Sequence, residues 1–360
     1  MTPVGSSSSE PLFQGLNFLF RASNGVPLDD QPLRKIAFGK WGVTDAEDLV
    51  VCHLTPNVLE IHCHGGEAAV RRVLSDLSMA GCTVIDGHAQ QTLQNGLLDA
   101  ECLDVLSRTS TVRTTKIVLE QTHDLLKSAF RQLLSLDSDG DDSLFDCLDR
   151  LLEWADFGQH LSMPWNVVLT GRPNVGKSSL INSLLGYQRA IVFDQPGTTR
   201  DIVTGETAFD GWPVILADTA GLRDNAGELE AAGIALARER LQSADLRLVL
   251  VDISQFPTQE DLRLIVEWSD AIVVAHKVDL ENRWRNHLPQ DAICVSSVTG
   301  EGLIELQQRI VSRLVPRVPE LGVPVPLTLR QVDKLREIRS AKAGADRRNA
   351  IEALIGMESD

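Results

Sequence analysis

The chain has 360 residues, of which 43% are hydrophobic and 23% are charged. This composition is typical of a globular protein of two or three domains, and it excludes collagen-like and wholly disordered chains. The 34 basic and 50 acidic side chains give a net charge of −16, which disfavours a protein that coats nucleic acid without sequence preference. No run approaches the roughly 18 apolar residues of a membrane span, the start lacks the pattern of a signal peptide, and the six cysteines form no C-x-x-C pair. We therefore expect a cytoplasmic protein with reduced thiols and no membrane partner.

The first segment of the chain, residues 1–110, mixes short strand and helix patterns. Apolar and polar residues alternate from Val58 to Ile61, and apolar residues recur at helical spacing from Ala68 to Leu77. We expect a small α+β domain here. In the second segment, residues 111–162, apolar residues recur at helical spacing on either side of an Asp/Gly turn, which predicts a helical hairpin.

Strand and helix patterns alternate through the third segment, residues 163–315. Its strands are continuous apolar runs, which are typical of a mostly parallel sheet in an α/β domain. The last segment, residues 316–360, holds a proline-rich linker and a charged amphipathic helix from Leu329 to Ile355. One helix cannot bury its own apolar face, so we expect it to pack on the hairpin and to make a small discontinuous helical domain. The predicted strands are Val167–Leu169, Val214–Leu216, Leu248–Val251, Ala271–Val274 and Ile293–Val295.

A phosphate-binding loop follows the first of these strands. Gly171 to Ser178 fit the pattern G-x-x-x-x-G-K-S/T, with a strand before them and a predicted helix after them. Glycines allow backbone N–H groups to surround phosphate oxygens, Lys177 can reach the β- and γ-phosphates, and the Ser178 hydroxyl can bind Mg²⁺. The residues expected to contact nucleotide here are Gly171, Asn174, Val175, Gly176, Lys177, Ser178 and Ser179.

Two further motifs come in the order typical of a switch-type nucleotide triphosphatase. Thr198 and Thr199 lie in a Gly-Thr-Thr-Arg-Asp stretch, and either can close over Mg²⁺ and the γ-phosphate; we choose Thr199. The Asp-Thr-Ala-Gly stretch ends the next apolar strand, which brings the Asp218 carboxylate near the metal and the Gly221 N–H near the γ-phosphate. The residues expected to bind Mg²⁺ are Ser178, Thr199 and Asp218.

Base selection is expected at His276–Asp279 and at Ser296 and Ser297, each after a predicted strand. The Asp279 carboxylate can accept both the N1–H and the N2–H of guanine, which adenine does not offer, and the stem of Lys277 can lie over the base. The usual pattern is N-K-x-D, so His276 stands where an asparagine would contact guanine N7 and brace the phosphate-binding loop. We expect guanine specificity to persist with weaker affinity.

Several stretches of sequence together carry a family resemblance. They are G-R-P-N-V-G-K-S-S-L-I-N from Gly171, A-I-V-F-D-Q-P-G-T-T-R-D from Ala190 and D-T-A-G-L-R from Asp218. These stretches resemble the MnmE/TrmE tRNA-modification GTPases within the TrmE-Era-EngA group. Upstream, Glu60–Glu67 is similar to the E-x-x-x-H-G-G segment of that family, and Gln94–Ala100 resembles a second stretch of its N-terminal domain. The resemblance implies an α/β P-loop GTPase domain and a link to modification of the tRNA wobble uridine.

The resemblance also implies how the attacking water is positioned. Leu222 follows the Asp-Thr-Ala-Gly stretch, where Ras-like enzymes place a glutamine, and a leucine cannot orient water. The family uses a glutamate matched by Glu230, with Glu228 as a near alternative, and a K⁺ ion held partly by an asparagine matched by Asn174. K⁺ binding accompanies dimerisation of the G domains in the family, so a homodimer through the N-terminal and G domains is implied. The implied catalytic residues are Glu230, Lys177, Thr199 and Asp218.

The chain departs from the family at both ends. The family ends in Cys-x-Gly-Lys, whereas this chain ends without the cysteine, and its start lacks the T-P-x-G-x-G-G stretch associated with a tetrahydrofolate derivative. The resemblance therefore implies the chemistry of the G domain more directly than the folate-dependent reaction with tRNA and an MnmG-like partner. Three hypotheses follow: a GTPase in tRNA modification, a GTP-dependent switch that acts on a partner, for example in ribosome assembly, and a degenerate nucleotide binder suggested by His276.

Overall fold

The computed structural model describes residues 16–42, 46–139, 141–186, 204–218, 239, 241–284 and 287–356. The chain forms two compact units that divide between Gln90 and Gln91. The division comes before the boundary at residue 110 expected from the sequence, because the helix Leu97–Ser107 buries Leu98 and Val105 in the core of the second unit. Within the described ranges, no helix has the length and apolar character needed to cross a membrane.

The first unit contains an antiparallel sheet and a helix that shares its core. Strands β1 (Phe20–Ala22), β2 (Ile36–Trp41), β3 (Glu47–Thr55) and β4 (Val58–His62) lie side by side in chain order. Alternation along β2 buries Ala37 and Trp41, and helix α1 (Glu67–Met79) adds Val73 and Leu77 to the same core. The indole N–H of Trp41 donates to Asp76 at 3.0 Å, which joins the sheet to the helix. The α+β organisation expected for this part of the chain is confirmed.

A run of helices leads from the first unit to the second sheet. These are α2 (Gly87–Asn95), α3 (Leu97–Ser107), α4 (Val112–Glu120), α5 (Leu126–Asp139), α6 (Asp141–Leu152) and α7 (Ala155–Gln159), with a π-helical turn at Gln121–Leu125. Apolar residues at helical spacing on α5 and α6, including Phe130, Leu133, Leu144 and Leu148, are fully buried in one core. The predicted hairpin thus corresponds to α5 and α6, preceded by α3 and α4.

The second sheet carries the α/β domain. Its strands are β5 (Trp165–Thr170), β6 (Thr204–Phe209), β7 (Trp212–Asp218), β8 (Leu246–Asp252), β9 (Ile272–His276) and β10 (Ile293–Val295), and its helices are α8 (Lys177–Gly186), α9 (Gln259–Glu267) and α10 (Leu303–Leu314). The strand order is β10-β9-β8-β5-β7-β6, with every neighbouring pair parallel except β6 and β7. The mostly parallel sheet expected from the apolar runs is confirmed.

The edge strand β6 is the one strand of this sheet, in the described ranges, that the sequence analysis did not predict. Its sequence T-G-E-T-A-F contains few apolar side chains, and this strand at the edge of the sheet is less completely buried than its neighbour β7. Asp210 and Gly211 follow with φ values of 47° and 77°, which form a two-residue hairpin turn. The start of α4 holds this turn: the Thr111 hydroxyl donates to the Gly211 carbonyl at 2.6 Å, and Arg113 bonds Asp210. The hairpin that leads into β7 is therefore anchored to the helices.

The end of the chain closes the helical part. Helix α11 (Leu329–Ser340) packs on α6, and helix α12 (Ala345–Ile355) packs on α5. The expectation of a single helix here is wrong, because Ala341 is extended and Gly344 has a φ of 137°, which glycine adopts far more readily than other residues. The turn lets both helices bury apolar residues such as Leu335 and Ile351. The helical part is thus built from two stretches of chain that are distant in sequence.

Candidate functional site

The loop between β5 and α8 has the backbone expected of a phosphate-binding loop. The angle φ is positive at Gly171 (149°), Asn174 (62°) and Gly176 (103°), values that most residue types avoid. A Cβ on Gly171 would overlap the carbonyl oxygen of Leu250 in β8, so the loop begins in close contact with a neighbouring strand. Backbone of this kind before the N-terminus of a helix directs amide hydrogens toward an anion.

The ammonium group of Lys177 is held within this loop. Its Nζ donates to the carbonyl oxygens of Gly171 and Arg172, both at 3.0 Å, and the residue is 5% exposed. The Arg172 side chain bonds Asp261 at the start of α9 at 3.2 Å, which ties the loop to a second helix. The loop therefore carries a buried positive charge, as the predicted binding of a phosphate chain requires.

A hydroxyl and a carboxylate meet beside the loop. The Ser178 hydroxyl donates to Oδ2 of Asp218 at 2.8 Å, and Asp218 is 3% exposed. The pairing of Leu169 with Asp218 in the parallel register of β5 and β7 explains this contact, since it brings the carboxyl ends of the two strands together. Hydroxyl and carboxylate oxygens are the protein ligands that Mg²⁺ prefers.

Lys277 connects the end of β9 with the phosphate-binding loop. Its Nζ donates to Oδ2 of Asp252 at 2.6 Å and to the carbonyl oxygen of Asn174 at 3.3 Å. Burial acts to raise the pKa of Asp252, but hydrogen bonds from Lys277 and Ser254 outweigh it and hold that pKa below its usual value. Sequence reasoning missed Asp252, although its position directly after the buried run of β8 was a usable signal.

The Asp279 carboxylate is oriented by a buried serine. The Ser296 hydroxyl donates to Oδ1 of Asp279 at 2.6 Å and accepts from the backbone N–H groups of Val298 and Thr299 at 3.2 and 3.1 Å. Ser296 has no exposed surface. The loop after β10 thus fixes the orientation of the carboxylate that the sequence analysis assigned to base selection.

His276 contacts both loops of the predicted site. Its Nδ1 lies 2.8 Å from the carbonyl oxygen of Val175, and its Nε2 lies 2.7 Å from the Ser297 hydroxyl. The ring packs on Gly176, where a Cβ would overlap it. Burial lowers the pKa of His276, and the nearby Lys277 acts in the same direction. The hydrogen bond to Val175 opposes this shift without reversing it, so the neutral form of the ring is favoured. The imidazole contacts the phosphate-binding loop where the usual asparagine would brace it.

The structure brings the predicted site residues that it describes to one edge of the second sheet. The loop after β5 and the end of β7 supply the residues predicted to bind phosphate and metal, while the segments after β9 and β10 supply the residues predicted to select the base. Ser179 is exposed in the first turn of α8. Ligands of open α/β sheets bind at this carboxyl edge. Thr198, Thr199, Gly221, Glu230 and its alternative Glu228 lie outside the described residues.

Comparisons with known proteins identify the family of the chain. A family described as 50S ribosome-binding GTPase matches residues 166–277, which include the phosphate-binding loop, Asp218 and Lys277. The tRNA modification GTPase MnmE of Geobacillus kaustophilus is 32% identical over 334 residues, and the match covers 80% of this chain and 72% of that protein. The chain belongs to the MnmE family. The MnmE of Aquifex aeolicus is 30% identical over 318 residues, covering 79% of this chain and 71% of that protein.

Membership of the MnmE family makes the chain a GTPase, and the family assignment drawn from the sequence motifs is confirmed.

Among solved structures, the G domain of the FeoB iron transporter of T. maritima is 31% identical, with a TM-score of 0.32 and coverage of 42% of this chain and 99% of that one. The Era protein of Aquifex aeolicus is 24% identical, with a TM-score of 0.34 and coverage of 51% and 69%.

Proposed function

We propose that this GTPase binds guanine nucleotide at the carboxyl edge of β5, β7, β9 and β10. The observation that carries the proposal is the 2.8 Å hydrogen bond between Ser178 and Asp218, next in sequence to the buried ammonium of Lys177. This pair offers two hard oxygen ligands for a cation, and the ammonium offers charge for phosphate oxygens. Phosphate chain and cation would therefore share one compact polar site.

The donor set fits Mg²⁺. Ser178 and Asp218 would hold the ion, together with Thr199 or Thr198 from the segment outside the described residues. When bound, Mg²⁺ supplies charge stabilisation to the phosphate oxygens. Two further assignments are carried over from the family and stay predictions: K⁺ at Asn174, and positioning of the attacking water by Glu230 or Glu228.

Selection of guanine is assigned to Asp279. Its carboxylate only accepts hydrogen bonds, and guanine offers an N1–H and an N2–H where adenine has a ring acceptor and no N2 amine. Ser296 holds the carboxylate at 2.6 Å and so reduces the entropy lost when the base binds. We expect GTP to be preferred over ATP for this reason.

The enzymatic part of the proposal is tested by GTP hydrolysis of the full chain. Ser178→Ala is expected to lower turnover on the order of 100-fold, since a metal ligand is lost at the reacting phosphate. Ser312→Ala is the matched control, because its hydroxyl only bonds the Arg309 carbonyl on the exposed side of α10. Equal turnover in the two variants would remove Ser178 and Asp218 from the site.

The same assay tests K⁺ and dimerisation. Turnover is expected to be higher in KCl than in NaCl, to fall in Glu230→Ala, and to rise faster than linearly with protein concentration if G domains activate each other. Equal slow rates of the wild type in KCl, the wild type in NaCl and the Glu230→Ala variant would eliminate the K⁺ mechanism and favour the degenerate nucleotide binder.

We further propose that GTP turnover serves tRNA modification. Support comes from the relatives of 30 and 32% identity, each a tRNA modification GTPase MnmE. Mass analysis of tRNA from a strain lacking this protein is expected to show loss of the wobble-uridine modification. Unchanged uridine would remove the tRNA assignment and leave the GTPase untouched. The tetrahydrofolate derivative and the MnmG-like partner stay predictions of the family resemblance.

A second candidate function is a GTP-dependent switch that acts on the ribosome. It is favoured by the family description, 50S ribosome-binding GTPase, that matches residues 166–277. Sedimentation of the purified chain with 50S subunits in the presence of GTP or GDP separates the two candidates. Nucleotide-dependent binding together with unchanged tRNA would select the switch.

A further inference from the structure

The imidazole of His276 is fully committed to protein partners. It is 3% exposed, with Nδ1 at 2.8 Å from the Val175 carbonyl oxygen and Nε2 at 2.7 Å from the Ser297 hydroxyl. Val175 belongs to the phosphate-binding loop, and Ser297 follows the serine that orients Asp279. One ring therefore joins the two loops between which we place the nucleotide.

The chemistry of the partners fixes the protons on this ring. A carbonyl oxygen only accepts, so Nδ1 must carry the hydrogen that it donates to Val175. In the neutral ring, which the lowered pKa of His276 favours, Nε2 then has a lone pair, and the Ser297 hydroxyl at 2.7 Å donates to it. Each ring nitrogen thus has a single hydrogen-bonding capacity, and both capacities are used inside the protein.

An asparagine at this position would have one donor more. An amide nitrogen has two N–H groups, so an asparagine could hold the Val175 carbonyl with one and donate the other to a base. Guanine N7 is an acceptor, and it is the atom that the asparagine of the N-K-x-D pattern contacts. The imidazole reproduces the brace to the loop, but it has no second N–H for the base.

We propose that this site recognises guanine without a hydrogen bond to N7, with His276 acting as a positioning residue between the two loops. The inference deepens the proposed function and rests on it, since it concerns recognition of the base at the same site. Discrimination of the base then falls on the N1–H and N2–H edge through Asp279. Nucleotides of 7-deazaguanosine, in which a C–H replaces N7, therefore belong to the ligands of this site.

The test compares three nucleotides on the full wild-type chain in the presence of Mg²⁺. Calorimetry is expected to give dissociation constants for GDP and 7-deaza-GDP that agree within about twofold, because no protein donor loses its acceptor. Inosine diphosphate, which lacks the N2 amine, is expected to bind at least about tenfold more weakly, the value of one hydrogen bond to a charged acceptor. In His276→Asn, the restored second N–H is expected to make GDP bind about fivefold more tightly than 7-deaza-GDP.

Different outcomes separate this inference from the proposed function. A wild-type preference of fivefold or more for GDP over 7-deaza-GDP would overturn the inference, while binding of GDP itself would uphold the guanine site. If none of the three nucleotides bound, both the inference and the proposed guanine site would be overturned. The comparison on the wild-type chain stands without a variant, so misfolding of His276→Asn would leave it decisive. If the folded His276→Asn variant showed no new preference for GDP over 7-deaza-GDP, the lack of a second N–H on the imidazole would be refuted as the cause.

Discussion

Gly176 leaves no room for a methyl group, and this makes it a sensitive test of the loop. A Cβ at Gly176 would overlap the ring of His276, whose two hydrogen bonds depend on its place. In Gly176→Ala, displacing the ring costs two hydrogen bonds at about 1 kcal/mol each. The φ of 103° adds backbone strain of about 1–2 kcal/mol for alanine. The free energy of unfolding is expected to fall by about 3–4 kcal/mol, the sum of these terms.

Urea unfolding followed by tryptophan fluorescence, together with GDP calorimetry, measures both consequences. Gly176→Ala is expected to lower stability by the stated amount and to weaken nucleotide binding, because the displaced ring or loop no longer presents the same backbone. Gly186→Ala is the matched control: it lies at the end of α8, the helix that follows Gly176, and a Cβ there meets no atom of the described residues within 4 Å. The control is expected to keep both stability and affinity.

A double-mutant cycle separates the two contributions. In a His276→Ala background the ring is absent, so Gly176→Ala should cost only the backbone strain, about 2 kcal/mol less than in the wild type. An equal cost in both backgrounds would refute the overlap with the ring as the cause. Equal effects of Gly176→Ala and Gly186→Ala would refute the reasoning altogether.

Three further predictions concern acidic residues. Asp279→Ala is expected to weaken GDP binding about 100-fold in calorimetry and to leave ADP binding unchanged, because two hydrogen bonds to a charged acceptor are lost. Asp137→Asn is expected to lower the free energy of unfolding by about 1.5–3 kcal/mol, because it removes the negative charge that accepts a hydrogen bond from the Arg347 guanidinium, whose side chain is 2% exposed. Hydrogen bonds from Lys277 and Ser254 hold the pKa of Asp252 below 3.8 against the effect of burial. The ionised carboxylate therefore stabilises the folded protein above pH 3.8, and this stabilisation is lost as the pH falls through the lowered pKa. The stability difference between wild type and Asp252→Asn should shrink accordingly in acid denaturation.

The first two of these predictions each have a control variant on the same chain. Asp291→Ala, on the exposed surface, should leave binding of both nucleotides unchanged. Asp149→Asn breaks the exposed ion pair with Arg339 between the same two stretches of chain, and its denaturation midpoint should move less than that of Asp137→Asn. Equal midpoints would contradict the role of burial. A stability difference at Asp252 that grows toward low pH would contradict the sign of its pKa shift.

The strands of the α/β domain could be predicted because burial on both faces leaves a local signature. Runs such as that of β8 are apolar at consecutive positions, and no partner need be known to recognise them. Strand β6 carries no such signature, although the Asp210-Gly211 pair is a hairpin signal that could have revealed it. The tail was misjudged for a related reason: its periodicity continues from Leu329 to Ile355, and only the extended backbone at Ala341 and the φ of Gly344 show that two helices are present.

The candidate site was predictable where its chemistry is local in sequence. The residues from Gly171 to Ser178 form one continuous motif, so their proximity needed no structure. The role of His276 was not predictable, because it depends on a contact with Val175, a residue 101 positions away. The sequence shows that the asparagine of the N-K-x-D pattern is absent. The distances show that the imidazole of His276 makes one of the two contacts expected of that asparagine, the contact with the phosphate-binding loop.

Because α11 and α12 cover α5 and α6, the order of synthesis matters. Leu152 and Leu329 are separated by about 180 residues, which a ribosome adds in about 10–35 s at 5–20 residues per second. During that interval the apolar sides of α5 and α6, with Phe130 and Leu148, have no cover from the C-terminal helices. A nascent chain of this protein thus exposes an apolar surface for about 10–35 s, and surfaces of this kind are bound by chaperones.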